Sequence, residues 1–315
     1  MRVSLDEAIA KLKAGEVVAI PTETVYGLAA DASNESALRQ IFAVKQRPAY
    51  NPLIVHIADI SHVEQWAAEF SPLARKLAEA FWPGPLTLVL PAKASVSSIV
   101  RAGEPTVALR VPNHALTLAL LQMSGLALAA PSANKYTQLS PTTAEHVATG
   151  LGNDLAILDG GACQVGIEST IVSVEGENWR MLRHGMIAEA AITQLTGKAA
   201  LISRDHLPKA PGQHALHYSP RTPLSLFIDR AMLIRQSEVL AQQNIQCAAL
   251  LIGEGSLPEC TFIQLPNQPE QVAEKLYSTL HNLDDLKLNR LLVELPANIP
   301  VWAAVLDRLT RAGYK

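Results

Sequence analysis

Apolar positions along the first two hundred residues alternate between helical spacing and short continuous runs. Ser4 and Glu7 form a capping box, and apolar residues then follow at helical spacing until Gly15 ends the pattern. The same spacing predicts further helices over 34–45, 115–123, 142–149 and 187–195, with Thr142 and Glu145 as a second capping box, and helical segments around Pro72 over 62–81. Short apolar runs predict strands over 17–20, 53–57, 86–90, 107–111, 126–130, 155–158, 170–174 and 179–182. Because these elements lack a strict βαβ alternation, we expect a twisted mixed sheet with helices packed on it.

Residues 204–223 interrupt this pattern. The segment contains four prolines and three of the nine histidines, and it is typical of a linker between domains. Beyond it, predicted strands and helices alternate over 224–228, 232–243, 247–252, 261–265, 273–283, 290–294 and 302–312. The sequence therefore predicts an α/β protein with a first domain over 1–203, an interdomain linker over 204–223 and a small Rossmann-like domain over 224–315.

The composition excludes several classes of protein. Of the 315 residues, 49% are apolar and 17% are charged, which is typical of a globular chain and not of a disordered one. The net charge of −3 argues against a strongly basic nucleic-acid-binding protein. Cys163, Cys247 and Cys260 are too few and too far apart for a disulfide framework or a zinc knuckle, and they suit the reducing cytoplasm. The longest apolar stretch, 114–130, is interrupted by polar residues and glycine, so we expect no membrane span.

Nucleotide-binding motifs with glycine-rich phosphate loops are missing from the sequence, since neither a Walker A motif nor G-x-G-x-x-G occurs. Polar clusters at predicted element ends are the candidates instead. The segment 21–27 follows a buried strand and forms either a plain turn or a turn with exposed hydroxyls. Lys45 and Arg47 come at the end of a helix, where they either complement the helix dipole or hold an anion such as phosphate.

Two further clusters also leave alternatives open. Arg110 lies late in an apolar strand, where a buried guanidinium needs a partner; from the residues alone we favour a protein carboxylate over a ligand. The segment 130–134 and the helix start at Thr142 form either an ordinary capped loop or a place where a nucleotide approaches the backbone. A single histidine in a strand, such as His56, is more typical of a hydrogen-bonded core residue than of a catalytic group.

Taken together, eight segments resemble the YrdC/TsaC family in their order and spacing, over most of residues 5–200. They are PTETVYGL (21–28), KQRPAYNPLIVHI (45–57), WPGPLTLVL (82–90), TVALRVPNH (106–114), APSAN (130–134), SPTT (140–143), GIESTIV (166–172) and RHG (183–185). The family hallmark is K-x-R followed downstream by S-x-N, which here is Lys45 and Arg47 followed by Ser132 and Asn134. The linker and the second domain resemble the longer, two-domain subfamily.

The resemblance implies an enzyme that condenses L-threonine, bicarbonate and ATP to threonylcarbamoyl-AMP and pyrophosphate, for modification of tRNA next to the anticodon. It implies catalytic roles for Lys45 and Arg47. The residues implied to bind the nucleotide are Lys45, Arg47, Asn51, Thr106, Asn134, Thr142, Arg183 and Tyr218. The residues implied to bind threonine are Thr24, His56, Arg110, Ser132 and Ser169. Tyr218 would make the linker a lid that closes over the nucleotide.

This chemistry requires little covalent work from the protein, which must position two mutually repelling anions and neutralise the departing pyrophosphate. We expect Mg²⁺ to be bound mainly through ATP phosphates, with no dedicated protein site. The resemblance also implies transfer of the product to a tRNA threonylcarbamoyl-transferase complex. The net charge of −3 leads us to expect at most weak tRNA binding. The alternatives are a non-catalytic RNA-binding module on the same fold and a relative that handles another carbamoyl adenylate.

Overall fold

The computed structural model describes residues 1–48, 51–202, 208–212, 217–257 and 260–314. The chain divides into two compact units: unit 1 comprises residues 1–136, 141–164 and 168–213, and unit 2 comprises 137–140, 165–167 and 214–315. Of the predicted linker over 204–223, only 208–212 and 217–223 lie within the described residues.

Unit 1 is built on a ten-stranded mixed sheet with the order β1-β8-β2-β3-β7-β4-β6-β5-β9-β10. Its strands are β1 (Arg2–Val3), β2 (Val18–Ile20), β3 (Gly27–Asp31), β4 (Ile54–His56), β5 (Leu86–Pro91), β6 (Thr106–Arg110), β7 (Leu128–Ala129), β8 (Ala156–Leu158), β9 (Thr170–Glu175) and β10 (Asn178–Arg183). Its helices are α1 (Leu5–Lys13), α2 (Glu35–Lys45), α3 (Val63–Trp66), α4 (Pro72–Phe81), α5 (Ser98–Arg101), α6 (Ala115–Ser124), α7 (Ala144–Leu151) and α8 (Glu189–Thr196). The prediction of a mixed sheet covered by helices is confirmed.

Most predicted elements of unit 1 are observed with ends shifted by one or two residues. The capping box of α1 is present, because the Ser4 hydroxyl accepts from the Glu7 amide while the Glu7 carboxylate accepts from the Ser4 amide. Strand β3 was missed by the pattern, since its sequence GLAAD contains no β-branched or aromatic residue. It is a strand because it pairs with both β2 and β7 inside the sheet.

The predicted capping box of Thr142 and Glu145 is wrong. Helix α7 begins one residue later, with Thr143 as its N-cap, and the Thr143 hydroxyl accepts a hydrogen bond of 3.2 Å from the His146 amide. Glu145 is therefore the second helical residue, whereas a capping box needs its carboxylate at the third. Thr142 is buried, and its hydroxyl lies 3.3 Å from His146 Nδ1.

Alternation of side chains separates two faces of the central strands β4, β6, β5 and β9. Val55, Leu109, Leu88 and Val172 point to one face, where they join the main hydrophobic core beneath the helices. The strand register then places the intervening residues on the opposite face.

The opposite face carries a small apolar cluster and the polar candidates. Ile54, Val89, Ala108 and Ile171 form the cluster, and Ala210 from the described part of the linker packs on it. Among the polar residues of this face, His56, Thr87, Arg110 and Ser169 are buried. We call this surface the site face.

Unit 2 contains a four-stranded parallel sheet with the order β11-β14-β12-β13. Its strands are β11 (Leu224–Phe227), β12 (Cys247–Ile252), β13 (Thr261–Leu265) and β14 (Arg290–Glu294), and its helices are α9 (Arg230–Gln242), α10 (Pro269–Asp285) and α11 (Ala303–Ala312). Strands and helices alternate along the chain, so the prediction of a small Rossmann-like α/β fold is confirmed. Among the described residues, none of the helices is both long enough and apolar enough to cross a bilayer.

Replacement of Thr143 tests which threonine caps α7. We expect Thr143→Ala to lower the free energy of unfolding by about 1 kcal/mol, because the His146 amide loses its acceptor at the helix start. Thr143→Ser keeps the hydroxyl and should lose much less. Urea denaturation followed by circular dichroism measures both variants, and a Thr143→Ala protein as stable as wild type would contradict the assignment.

Candidate active site

The segment between β2 and β3 is a buried turn organised by one hydroxyl. Thr22 Oγ1 accepts from the amides of Thr24 and Val25 at 3.1 Å each and donates to the Val25 carbonyl at 2.6 Å. The Tyr26 amide is bonded to the Pro141 carbonyl at 2.9 Å. A small side-chain hydroxyl thus replaces the ladder bonds that a strand would supply, which fixes the positions of Glu23 and Thr24.

Arg110 reaches this turn from the end of β6. Its Nε donates to the Gly84 carbonyl at 3.2 Å, its Nη1 donates to Thr24 Oγ1 at 3.0 Å, and its Nη2 lies 2.7 Å from Glu23 Oε1. Arg110 and Glu23 are only 3% and 4% exposed. The expectation that a protein carboxylate pairs with Arg110 is confirmed, and that carboxylate belongs to Glu23, which sequence reasoning had not assigned.

His56 lies beside Arg110, because the two residues are register partners on β4 and β6. Burial, together with the positive charge of Arg110, lowers the pKa of His56 to about 3. The imidazole is therefore neutral at physiological pH and adds no charge next to the guanidinium. Its Nδ1 has no hydrogen-bond partner among the residues that the structure describes.

Ser169 is held by two neighbours at the start of β9. Its hydroxyl lies 2.8 Å from Thr87 Oγ1, and Arg183 Nη2 donates to it at 3.1 Å. Arg183 also donates through Nε to the Ser169 carbonyl at 3.0 Å and through Nη1 to the Pro211 carbonyl at 3.1 Å. Thr87 was missed by sequence reasoning, although a threonine inside the apolar run LTLVL is a signal that could have found it.

A β-bulge turns Arg183 towards this group. The register of β10 against β9 shifts between Met181 and Arg183, so that Arg183 pairs with Ile171 on the site face. Residues two positions apart in a regular strand lie on the same face. Without the shift, Arg183 would therefore share the face of Met181, which packs against the core, and would not lie on the site face. Gly185 then passes so close to β9 that a Cβ atom there would lie 2.3 Å from the Thr170 amide nitrogen.

Lys45 joins the two halves of the family hallmark. Its Nζ donates to the carbonyls of Ser132 at 2.5 Å and Asn134 at 2.6 Å, and lies 3.4 Å from Asn134 Oδ1. Burial, followed by the charge of nearby Arg47, lowers the pKa of Lys45, while Glu168 opposes that change. The Lys45 ammonium therefore holds the loop that carries Ser132 and Asn134, and phosphate would have to replace part of these contacts.

Arg47 follows the helix end, where Gln46 takes a left-handed conformation with φ of 52°. Arg47 Nη2 donates to the Pro52 carbonyl at 3.0 Å, and Asn51 Nδ2 lies 3.4 Å from Tyr136 Oη. The Tyr136 amide in turn donates to the Lys45 carbonyl at 2.8 Å. These bonds link the K-x-R segment to the chain that follows the S-x-N loop.

The remaining nucleotide candidates are Thr106, Thr142 and Tyr218, and each has contacts or a strand position of its own. Thr106 begins β6 four residues before Arg110, on the same face and about 13 Å along the strand. Thr142 contacts His146, as described above. Tyr218 belongs to unit 2, where it is 1% exposed and its ring lies 4.1 Å from the His217 ring and 5.1 Å from the Arg308 guanidinium.

Cys163 lies near enough to Glu23 and Arg110 to feel their charges, and burial disfavours its thiolate. Burial raises the pKa of its thiol to about 12, so the thiolate is scarcely populated at neutral pH. Within the described ranges, no three His, Cys, Asp or Glu side chains come together in an arrangement that could hold a metal ion.

Comparison with known proteins agrees with the fold and with the motifs. Residues 10–185 match the family described as "Telomere recombination", and residues 182–313 match the family described as "Threonylcarbamoyl-AMP synthase, C-terminal domain". The threonylcarbamoyl-AMP synthase of Bacillus subtilis is 39% identical over 318 residues, covering 98% of this chain and 92% of that protein. The Pyrococcus abyssi protein of the same name is 36% identical over 314 residues, covering 96% of this chain and 92% of its own length.

A solved structure extends the similarity to both units. The crystal structure of P. abyssi Sua5 complexed with L-threonine matches with a TM-score of 0.90 at 33% identity, covering 100% of this chain and 97% of that chain. The fold and the site thus define a two-domain protein of the YrdC type, as the sequence motifs had indicated. The chain belongs to the threonylcarbamoyl-AMP synthase family.

Removal of the Lys45 ammonium should loosen the loop it holds. Lys45→Met leaves the Ser132 carbonyl and the buried Asn134 carbonyl without this donor, and we expect a loss of about 2 kcal/mol in the free energy of unfolding. The control is Lys76→Met at an exposed position of α4. Urea denaturation compares the two, and equal stability of both variants would contradict the role of Lys45 in holding the loop.

His56 should make stability depend on pH. Its folded pKa of about 3 lies below the unfolded value of about 6.5, so the unfolded chain binds the extra proton between these values. The contribution is fully present above pH 6.5. As the pH falls towards 3, it is lost at up to about 1.4 kcal/mol per pH unit. His56→Gln should flatten this slope, whereas His62→Gln, at a partly exposed position, should not. Identical slopes in denaturation curves from pH 4 to 7 would refute the prediction.

Proposed function

We propose that this protein condenses L-threonine, bicarbonate and ATP to threonylcarbamoyl-AMP and pyrophosphate. The observation that carries the proposal is a group of buried cations and neutral polar side chains on one sheet face, in a chain similar over its full length to threonylcarbamoyl-AMP synthases. An enzyme is favoured over a non-catalytic RNA-binding module, because these full-length relatives are named as synthases.

Threonine is assigned to the region around Arg110. The Arg110 guanidinium would bind the substrate carboxylate, because hydrogen bonds to Gly84 and Thr24 already hold this charged donor in place. Neutral His56 and the hydroxyls of Thr24, Ser132 and Ser169 would bind the remaining polar atoms of threonine. A solved relative of this fold binds L-threonine, which supports the assignment.

ATP is assigned to the K-x-R and S-x-N segments and to the N-terminus of α7. Arg47 would bind phosphate oxygens as a fork, and Lys45 as a point charge, with part of its present contacts exchanged. The other nucleotide-binding residues that we propose are Asn51, Thr106, Asn134, Thr142, Arg183 and Tyr218. Thr106 and Arg110 lie at opposite ends of one strand on the same face, so the two substrates can lie side by side along β6.

The protein would act mainly by position and charge. The threonine nitrogen captures bicarbonate-derived CO₂ to form a carbamate, and a carbamate oxygen then attacks the α-phosphorus of ATP as pyrophosphate leaves. Fixed cations favour this step because they neutralise charge that develops on the leaving group. Mg²⁺ would arrive on the ATP phosphates and supply further neutralisation there. Tyr218 in the linker would help to exclude water from the labile carbamate.

The product is a reactive acyl adenylate, so we propose that it passes to a tRNA threonylcarbamoyl-transferase complex in the cytoplasm. With a net charge of −3, the chain should bind tRNA only weakly.

The decisive experiment is detection of threonylcarbamoyl-AMP by mass spectrometry after incubation of the pure protein with ATP, bicarbonate, threonine and Mg²⁺. We expect Arg47→Ala to lower product formation roughly 10²-fold, because one cation aimed at the phosphates is removed. Arg39→Ala, which replaces an exposed arginine on the preceding helix α2, is the matched control and should retain the wild-type rate. Absence of product from the wild-type protein would overturn the proposal.

A further inference from the structure

The Glu23 carboxylate is buried without the hydrogen bonds that such a group needs. It is 4% exposed, and neither Oε1 nor Oε2 accepts a hydrogen bond from any residue that the structure describes. Its contact with Arg110 Nη2 at 2.7 Å is an ion pair that lacks hydrogen-bond alignment. Arg110, in contrast, donates to Gly84 and Thr24. Arg110 Nη2 also lacks a hydrogen-bond partner among the described residues, but Glu23 lacks one on both oxygens, so the greater deficit of this buried pair lies on the acidic partner.

The turn around Glu23 does not supply the missing donors. The amides of Thr24 and Val25 are directed to Thr22 Oγ1, and the Tyr26 amide is directed to the Pro141 carbonyl. A buried ion pair offsets its desolvation only when further hydrogen bonds satisfy the remaining lone pairs. A ligand that brings N–H donors into this place would complete the pair.

An α-amino acid has the matching pattern of charge. Its carboxylate and ammonium are attached to one carbon, so their partners must be adjacent, and Arg110 and Glu23 are in contact. Building on the proposed function, in which Arg110 binds the threonine carboxylate, we propose that Glu23 binds the substrate α-ammonium and accepts the proton that its nitrogen must lose.

The proton is required by the chemistry. An ammonium nitrogen has no lone pair, so an N–H bond must break before the nitrogen can attack carbon. Transfer of this proton to Glu23 forms an O–H bond and a free amine. The amine then attacks CO₂ derived from bicarbonate, an N–C bond forms, and the electrons of one C=O bond move to oxygen. A second proton leaves the nitrogen for solvent, so that one ammonium and one CO₂ yield one carbamate and two protons.

If Glu23 only neutralises Arg110, its replacement should change ligand binding differently than if Glu23 binds the ligand itself. A structural role would affect every ligand that Arg110 binds. Ammonium recognition would affect only ligands that carry the ammonium. The two roles are separated by comparing L-threonine with (R)-3-hydroxybutanoate, which keeps the carboxylate and the hydroxyl but has hydrogen in place of the ammonium.

Isothermal titration calorimetry of the full chain makes this comparison for wild type, Glu23→Gln and Glu23→Asp. We expect Glu23→Gln to weaken threonine binding roughly 10- to 100-fold, with little change for (R)-3-hydroxybutanoate, because one charge-assisted contact is lost. Glu23→Asp keeps the charge and should restore part of the threonine affinity. Equal losses for the two ligands, or no loss for threonine, would overturn ammonium binding by Glu23.

Turnover at saturating threonine tests the proton transfer separately. We expect Glu23→Gln to lower kcat by roughly 10²-fold, with partial rescue by Glu23→Asp. An unchanged kcat in Glu23→Gln would overturn the role as proton acceptor. Failure of the wild-type protein to form threonylcarbamoyl-AMP would refute the proposed function instead, and it is visible in the wild-type control before any Glu23 variant is compared.

Discussion

Burial of charge on one face of the ten-stranded sheet is the constraint that shapes unit 1. Side chains alternate along β4, β6, β5 and β9, so one face joins the main core while the other carries polar groups that are also buried. A guanidinium in such a place needs oxygen partners. Arg110 finds them in Gly84, Thr24 and Glu23, and Arg183 finds them in Ser169 and Pro211.

These internal contacts also prepare the site for a ligand. The turn at Thr22 fixes Glu23 and Thr24, and Lys45 fixes the loop of Ser132 and Asn134. Side chains that are held before a ligand arrives lose little conformational freedom when it binds. In the proposed binding mode some of these contacts would have to be exchanged, because phosphate or carboxylate would take over acceptor positions that protein oxygens now occupy.

Local sequence signals predicted much of the fold. They failed where pairing between residues far apart in the chain decided the secondary structure. Capping residues and apolar spacing located α1, α2 and, except for β1 and β3, the strands of both sheets within a few residues. Strand β3 was missed because its residues have low strand propensity and its pairing with β2 and β7 overrides that preference. The start of α7 was misplaced by one residue because Thr142 and Thr143 are both good capping residues. Only the backbone geometry selected Thr143.

The sequence by itself determined most of the helices and strands and the ordered motifs that carry the family resemblance, because these depend on residues close together in the chain. The sequence also predicted that a buried Arg110 needs a partner, but it did not identify that partner. The tertiary structure alone decided which side chains meet. Thr24 and Arg110 are 86 residues apart, Lys45 and Ser132 are 87 apart, and Arg183 reaches the site face only through a bulge in β10. Such pairs are set by strand register and loop geometry, which no local pattern of residues specifies.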